Sequence, residues 1–303
     1  MAMLVSVTTL TYKKFERIYQ AIDSVLAQDY PNIEYIISDD GSPNFPEEEI
    51  RSYVERKKRE NLVRFEILRH EKNQGTVRND NDAMRHCTGE IVIPVSADDA
   101  LMDPTVISRI AKKFEETGCD VLCVTRALYN DAGAFVRNIP TRKAGEILSK
   151  DTDNRVQYQR FMTGRYYEAY SGATFSLRRE FIERWGYWDE RYVLWEDGPF
   201  FAQYLWENRV ECAFDIVGLR YNDGGVSSGE KHPLLLKDDE LFRKTDCVAH
   251  IDELSFVARA ILKHRLLRCG IPGKKGSIVA ALRHPIGLLG IKAYNFSLRF
   301  LKD

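Results

Sequence analysis

Glu90-Ile91-Val92-Ile93-Pro94-Val95-Ser96-Ala97-Asp98-Asp99-Ala100 is an apolar run of strand length that ends in two adjacent carboxylates. A short, continuous apolar run bounded by turn residues reads as a strand buried on both faces. In open α/β sheets ligands gather outside the carboxyl ends of the strands, so Asp98 and Asp99 stand where a ligand is expected. Such hard oxygen donors suit Mg²⁺ or Mn²⁺, an ion that binds through one or two carboxylates and fills its other positions with water and phosphate oxygens. Taken alone, an Asp pair after a strand reads equally as a solvated turn or a helix cap. The flanking sequence has to decide.

On the amino-terminal side, strand-like and helix-like segments alternate at the rhythm of βαβ units. Leu4 to Leu10 reads as the first strand. Phe15, Ile18, Ile22, Val25 and Leu26 recur at helical spacing until Pro31 forbids continuation. Ile33 to Ile37 is the second strand, ending at Ser38-Asp39-Asp40-Gly41-Ser42, followed by a charged helix near 47–59 and a third strand from Val63 to Leu68. The turn Lys72-Asn73-Gln74-Gly75 then leads through a helix to about Cys87 and into the quoted strand. Right-handed crossovers between parallel strands would bring the ends near residues 10, 39, 70 and 96 to one sheet edge.

On the carboxyl side, Asp103-Pro104 reads as a helix start, with Asp as N-cap and Pro at the first helical position. Cys119 to Val124 reads as a fifth strand, residues 125–172 as a connector, and Ala173 to Leu177 as strand again. A short helix from Arg179 to Arg184 and a turn at Gly186-Tyr187-Trp188-Asp189-Glu190 precede Trp195-Glu196-Asp197-Gly198-Pro199, which opens another helix. The fold class is α/β, a mostly parallel Rossmann-like sheet flanked by helices.

The 303 residues are 44% hydrophobic, enough for a sizeable core. Six scattered cysteines show no zinc spacing and read as reduced thiols. The Met1 end has no basic segment followed by an apolar stretch, and no segment has the ~18 unbroken apolar residues of a membrane span. A cytoplasmic location is expected. The formal net charge of −1 hides an asymmetry: between Leu254 and Lys302 lie ten Lys/Arg and no Asp or Glu, against 34 basic and 44 acidic residues in 1–253. Such segregation suggests an anionic partner for the tail.

Thr11-Tyr12, Ser24-Val25-Leu26-Ala27-Gln28-Asp29-Tyr30-Pro31-Asn32, Asp39-Asp40-Gly41-Ser42, Asp98-Asp99 and Glu196-Asp197 together resemble the inverting glycosyltransferases of family 2, which have the GT-A fold. The resemblance covers about residues 3–225. It implies a catalytic domain over 1–228, with 229–303 as a basic helical extension. It also implies that Thr11 and Tyr12 border the nucleotide, the Tyr12 ring packing on the base and Asp40 accepting a base N–H. A uracil or thymine imide suits a carboxylate and a flat aromatic face. Asn73, Gly75 and Arg78 would shape the nucleotide edge, with Arg78 reading equally as part of a solvated helix face. Asp99 would ligate Mn²⁺ or Mg²⁺, and Asp98 would lie near the ribose or the metal. Asp197 would be the general base and Glu196 would hold an acceptor hydroxyl, although a helix start attracts carboxylates for structural reasons too. Leu10, Lys13 and Asn79-Asp80-Asn81 depart from the family's pattern.

The expected reaction is transfer of a sugar from a nucleotide-sugar donor, a UDP-sugar first, to a glycan acceptor, with no nucleic acid involved. Gly224-Gly225-Val226-Ser227 reads as a candidate lid over the diphosphate or an ordinary turn. In a helix from about Pro285 to Lys302, Ile286, Leu289, Ala293, Phe296 and Phe300 share one face and Lys292, Asn295, Arg299 and Lys302 the other. That pattern suits an interfacial helix on an anionic membrane surface, and hence a lipid-linked acceptor of the bacterial cell-surface type. Packing on the catalytic domain or contact in a homo-oligomer are the other readings. A sugar-phosphate nucleotidyltransferase is the rival enzyme, but Leu10-Thr11-Tyr12-Lys13-Lys14 lacks the glycines of a phosphate-cradling loop. A non-catalytic membrane adaptor would leave Asp40, Asp99 and Asp197 without a role.

Overall fold

The computed structural model describes residues 2–222, 232–271 and 273–297. The strands are β1 (Val5–Thr11), β2 (Ile33–Asp39), β3 (Leu62–Arg69), β4 (Ile91–Pro94), β5 (Ala100–Leu101), β6 (Val121–Tyr129), β7 (Phe135–Ile139), β8 (Phe175–Arg178) and β9 (Glu211–Asn222). The helices of the first half are α1 (Ile18–Leu26), α2 (Glu47–Lys57), α3 (Thr76–His86) and α4 (Val106–Thr117). Those of the second half are α5 (Arg142–Leu148), α6 (Asn154–Met162), α7 (Arg179–Trp185) and α8 (Asp197–Glu207). The tail adds α9 (Pro233–Lys244), α10 (Phe256–Gly270), α11 (Gly273–Arg283) and α12 (Pro285–Ser297).

These strands form one sheet in the order β3-β2-β1-β4-β8-β6-β9-β5, with β7 paired to β6. The expected parallel block is present: β1 pairs in parallel with β2 and β4, and β2 with β3. The apolar run at 91–93 is continuous because both faces of β4 are covered. Ile91 and Ile93 pack with Val5, Val7, Ile107 and Phe114, while Val92 packs on the other side with Phe161, Phe175 and Phe201. Beyond β4 the pattern changes, with β8 running antiparallel between β4 and β6.

Three expectations are corrected. Asp103 does not cap a helix that starts at Pro104: α4 begins at Val106, and the Asp103 carboxylate instead accepts the Thr105 amide at 2.8 Å in a turn ahead of the helix. Residues 125–172 are not merely a connector, since they contain the second half of β6, all of β7, and α5 and α6. β9, unforeseen as a strand, forms along β6 and also clamps β5. The candidate lid at 224–227 and the helix end from residue 298 fall outside the described residues. All six cysteines are free thiols.

Candidate functional site

β1, β2 and β4 end side by side, and the turn after each carries a site residue. At β2 the Asp39 carboxylate accepts the Ser42 amide at 2.8 Å, closing a turn around Gly41. Gly41 has φ +74°, and a Cβ there would lie 2.7 Å from the Lys72 carbonyl carbon, so this position requires glycine. The close approach brings the Asn73–Gly75 turn onto Asp40. Oδ1 of Asp40 accepts the Gln74 amide at 2.8 Å, and Oδ2 accepts the Gly75 amide and Asn73 Nδ2, both at 2.9 Å. Burial raises the Asp40 pKa and the two amides oppose that rise. Oδ1, with one bond among the described residues, keeps lone-pair capacity for a further donor.

Tyr12 follows β1 and is 39% exposed, with the Lys13 ammonium 4.9 Å from its ring centre. Thr11 is buried, and its hydroxyl donates to the Lys14 carbonyl at 3.3 Å. Arg78 departs from the group. It lies on the solvent face of α3, 3.3 Å from Glu190.

Asp98 and Asp99 sit in the turn between β4 and β5, and the end of β9 fixes them. Ala100 pairs with Arg220, so Asn222 reaches the turn: its amide donates to Oδ1 of Asp99 at 2.9 Å and its Nδ2 to the Asp98 carbonyl at 2.6 Å. Asp99 is buried, and among the described residues its Oδ2 has no hydrogen-bond partner. Burial, then the neighbouring Asp98, push the Asp99 carboxyl well above its usual range. Burial also raises Asp98, against the pull of Lys14 and Arg17. A buried carboxylate oxygen without a partner, next to a second carboxylate, suits a hard divalent cation, which would restore the ionised form of both. No group of three or more His, Cys, Asp or Glu side chains with metal-holding geometry occurs among the described residues. A cation here would therefore draw its remaining ligands from substrate oxygens and water.

The second carboxylate pair opens α8. Gly172 donates its amide to Oδ2 of Asp197 at 2.6 Å, and the Gly198 amide and Trp195 side chain add further bonds. Burial raises Asp197 while these donors and the Arg126 charge lower it. For Glu196 the one opposing donor is its own backbone amide. Burial, then Asp197, Asp80 and Asp238, push it well above the ordinary range.

Arg126, Gly172 and Asn222 are the residues that sequence reasoning missed. Arg126 lies on the unforeseen half of β6, stacked 4.6 Å from the Tyr221 ring, with Nη1 donating to Ser171 Oγ at 2.6 Å. Its charge acts on both Asp99 and Asp197. It is therefore within electrostatic reach of one carboxylate of each pair. The run from Val121 to Tyr129, apolar but for Thr125 and Arg126 and free of Gly and Pro, is the signal that could have extended the strand to it.

Residues 6–186 match the family model described as "Glycosyl transferase family 2". No curated protein matches the chain. Among solved structures, S. aureus TarS residues 1–349 in complex with UDP-GlcNAc superposes with a TM-score of 0.63 at 20% identity, over 88% of this chain and 72% of that one. Against the longer S. aureus TarS structure the TM-score is 0.57 at 17% identity, and 96% of this chain spans 54% of that one. The mannosyltransferase PcManGT from Pyrobaculum calidifontis, in complex with GDP-Man and Mn²⁺, gives 0.54 at 18% identity, over all of this chain and 77% of its own. At these identities the likeness concerns the fold.

Proposed function

Because the chain belongs to glycosyl transferase family 2, we propose that this glycosyltransferase moves a sugar from a UDP-sugar to a glycan hydroxyl by one displacement that inverts the anomeric centre. The observation that carries this reading is the carboxylate of Asp197, fixed by the Gly172 amide at 2.6 Å at the start of α8 beside Glu196. Asp197 accepts the proton of the acceptor hydroxyl as that oxygen bonds to the anomeric carbon and the bond to the departing diphosphate breaks. A positioned base typically contributes about 10²–10⁴-fold. Glu196, beside it, is suited to hold the acceptor hydroxyl by a hydrogen bond.

On the donor side, Tyr12 offers its ring to the base, Oδ1 of Asp40 accepts an imide N–H, and Asn73 and Gly75 hold Asp40 in place. Thr11 lines the base of that turn, and Arg78, facing Glu190, takes no part. Asp99 with Asp98 would hold Mn²⁺ or Mg²⁺, and a cation bound there supplies charge neutralisation for the leaving diphosphate. The TarS and PcManGT complexes contain UDP-GlcNAc and GDP-Man respectively, which supports a nucleotide-sugar donor here. A cell-surface or lipid-linked glycan is the proposed acceptor. The test is Asp197→Asn, which keeps the side chain's shape and an acceptor oxygen for Gly172. Transfer should be abolished while UDP binding and the melting temperature are kept; full transfer by the variant would reject the base assignment.

A further inference from the structure

The tail helices pack on one another through small residues and turn large apolar residues outward. A Cβ at Gly287 would lie 2.2 Å from the Ala260 carbonyl oxygen of α10, and one at Gly290 2.8 Å from Ile261. Buried His264 donates at the junction, with Nδ1 3.1 Å from the Ala280 carbonyl and 3.3 Å from that of His284. On the body side the Tyr294 hydroxyl accepts the Tyr166 amide at 2.9 Å. α12 is thus packed on α10 through its glycine stripe and reaches the catalytic domain through Tyr294.

The opposite result holds for the large residues. Leu282 is 77% exposed, Leu289 65%, Ile278 60% and Ile286 42%, at spacings of three and four residues through α11 and α12. At the start of α10, Phe256 and Val257 are exposed too. Soluble surfaces rarely carry so many large apolar side chains together. The residues interleaved with them are Arg268, Lys274, Lys275, Arg283 and Lys292, in a segment with ten Lys/Arg and no acid.

We propose that the outward face of α10–α12 docks on an anionic lipid bilayer, inserting Leu282, Ile286 and Leu289 among the acyl chains while the lysines and arginines meet the headgroups. No helix among the described residues is long and apolar enough to cross a membrane, so the contact is peripheral. Charge selects this occupant over a second copy of the chain, since pairing the face with itself would oppose two clusters of like charge. The expected affinity combines apolar insertion with about 1 kcal/mol for each basic residue near the surface, the latter weakened by salt. Docking uses none of the residues assigned to transfer, and binding without donor tests it apart from the reaction.

The experiment is flotation of the full chain with vesicles of phosphatidylcholine alone and of phosphatidylcholine mixed with phosphatidylglycerol. Binding should occur on the mixed vesicles and fall with added salt. Leu282→Glu with Leu289→Glu should weaken it by about tenfold or more. The side chains are exposed, so melting temperature and UDP binding should stay as in the parent, which separates loss of docking from loss of fold. Equal flotation of parent and variant, or no preference for the anionic vesicles, overturns the proposal. So does a dimer in solution that the double substitution dissolves.

Discussion

The Gly172 amide donates to Oδ2 of Asp197 at 2.6 Å, and a Cβ added to Gly172 would fall 2.7 Å from Oε1 of Glu196. The turn from Ser171 to Thr174, closed by the Thr174 amide on the Ser171 carbonyl at 2.9 Å, therefore accepts a Cβ at its second position only if the Glu196 carboxyl moves. Gly172→Ala is expected to push Glu196 and the turn apart and misplace Asp197. Displacements of about an ångström at a reacting group cost on the order of 10²-fold. Transfer rate should fall by that order, with far-ultraviolet dichroism and UDP affinity unchanged. A rate within twofold of the parent would show that the turn does not fix the base.

Arg126 lowers the Asp197 pKa, and an uncharged side chain in its place removes that effect. Asp197 must be ionised to accept a proton, so activity rises as pH passes its pKa. Without Arg126 that pKa is higher, and the acid limb of the kcat/KM profile should move to higher pH in Arg126→Gln. The same variant should also lower the plateau, because Arg126 faces Asp99 as well. A lower plateau with an unmoved acid limb would place Arg126 on the donor side alone.

Asp80 is buried beneath the site with Trp188 Nε1 donating to its Oδ2 at 2.6 Å, and burial raises its pKa to about 6. A carboxyl whose folded pKa exceeds its unfolded value binds protons more tightly when folded, so its contribution to stability is present at low pH and declines as pH rises from about 4 through 6. A shift of this size is worth about 3 kcal/mol across that window. Asp80→Asn removes the titration and keeps an acceptor for Trp188. Relative to the parent, the variant should gain stability by about that amount between pH 4 and pH 7 in urea unfolding. A parent-to-variant difference that does not change with pH would mean Asp80 does not titrate there.

The first four strands were legible because each is a short apolar run cut off by turn chemistry, and parallel pairing of neighbours in sequence needs little else. β7 and β9 were not. Phe135 and Val136 on β7 are exposed, so no burial pattern marks the strand, and β9 exists through its pairing with β6, some ninety residues earlier. Asp98, Asp99 and Asp197 could be singled out by motif. What holds them could not: Asn222 lies 123 residues from Asp99 and Gly172 lies 25 from Asp197. The tail was half legible. The apolar face of α12 was visible in the spacing of Ile286 and Leu289, but glycines carry no hydropathy signal, so the Gly287 and Gly290 stripe that docks the helix was not.

Oδ2 of Asp99, buried and without a partner among the described residues, is the atom to which metal dependence is assigned. Asp99→Asn is the discriminating change. The amide can keep an oxygen at the Oδ1 position for the Asn222 amide, so the β9 clamp survives, while an NH₂ replaces the ligating oxygen. In calorimetric titrations of UDP, the parent should bind more tightly with Mn²⁺ than without it, because a cation held by Asp99 and Asp98 would supply charge neutralisation to the diphosphate. The variant should bind UDP at the parent's metal-free affinity whether or not Mn²⁺ is added, since Tyr12 and Asp40 are untouched. A variant that retains the full gain from Mn²⁺ would take the ion away from Asp99.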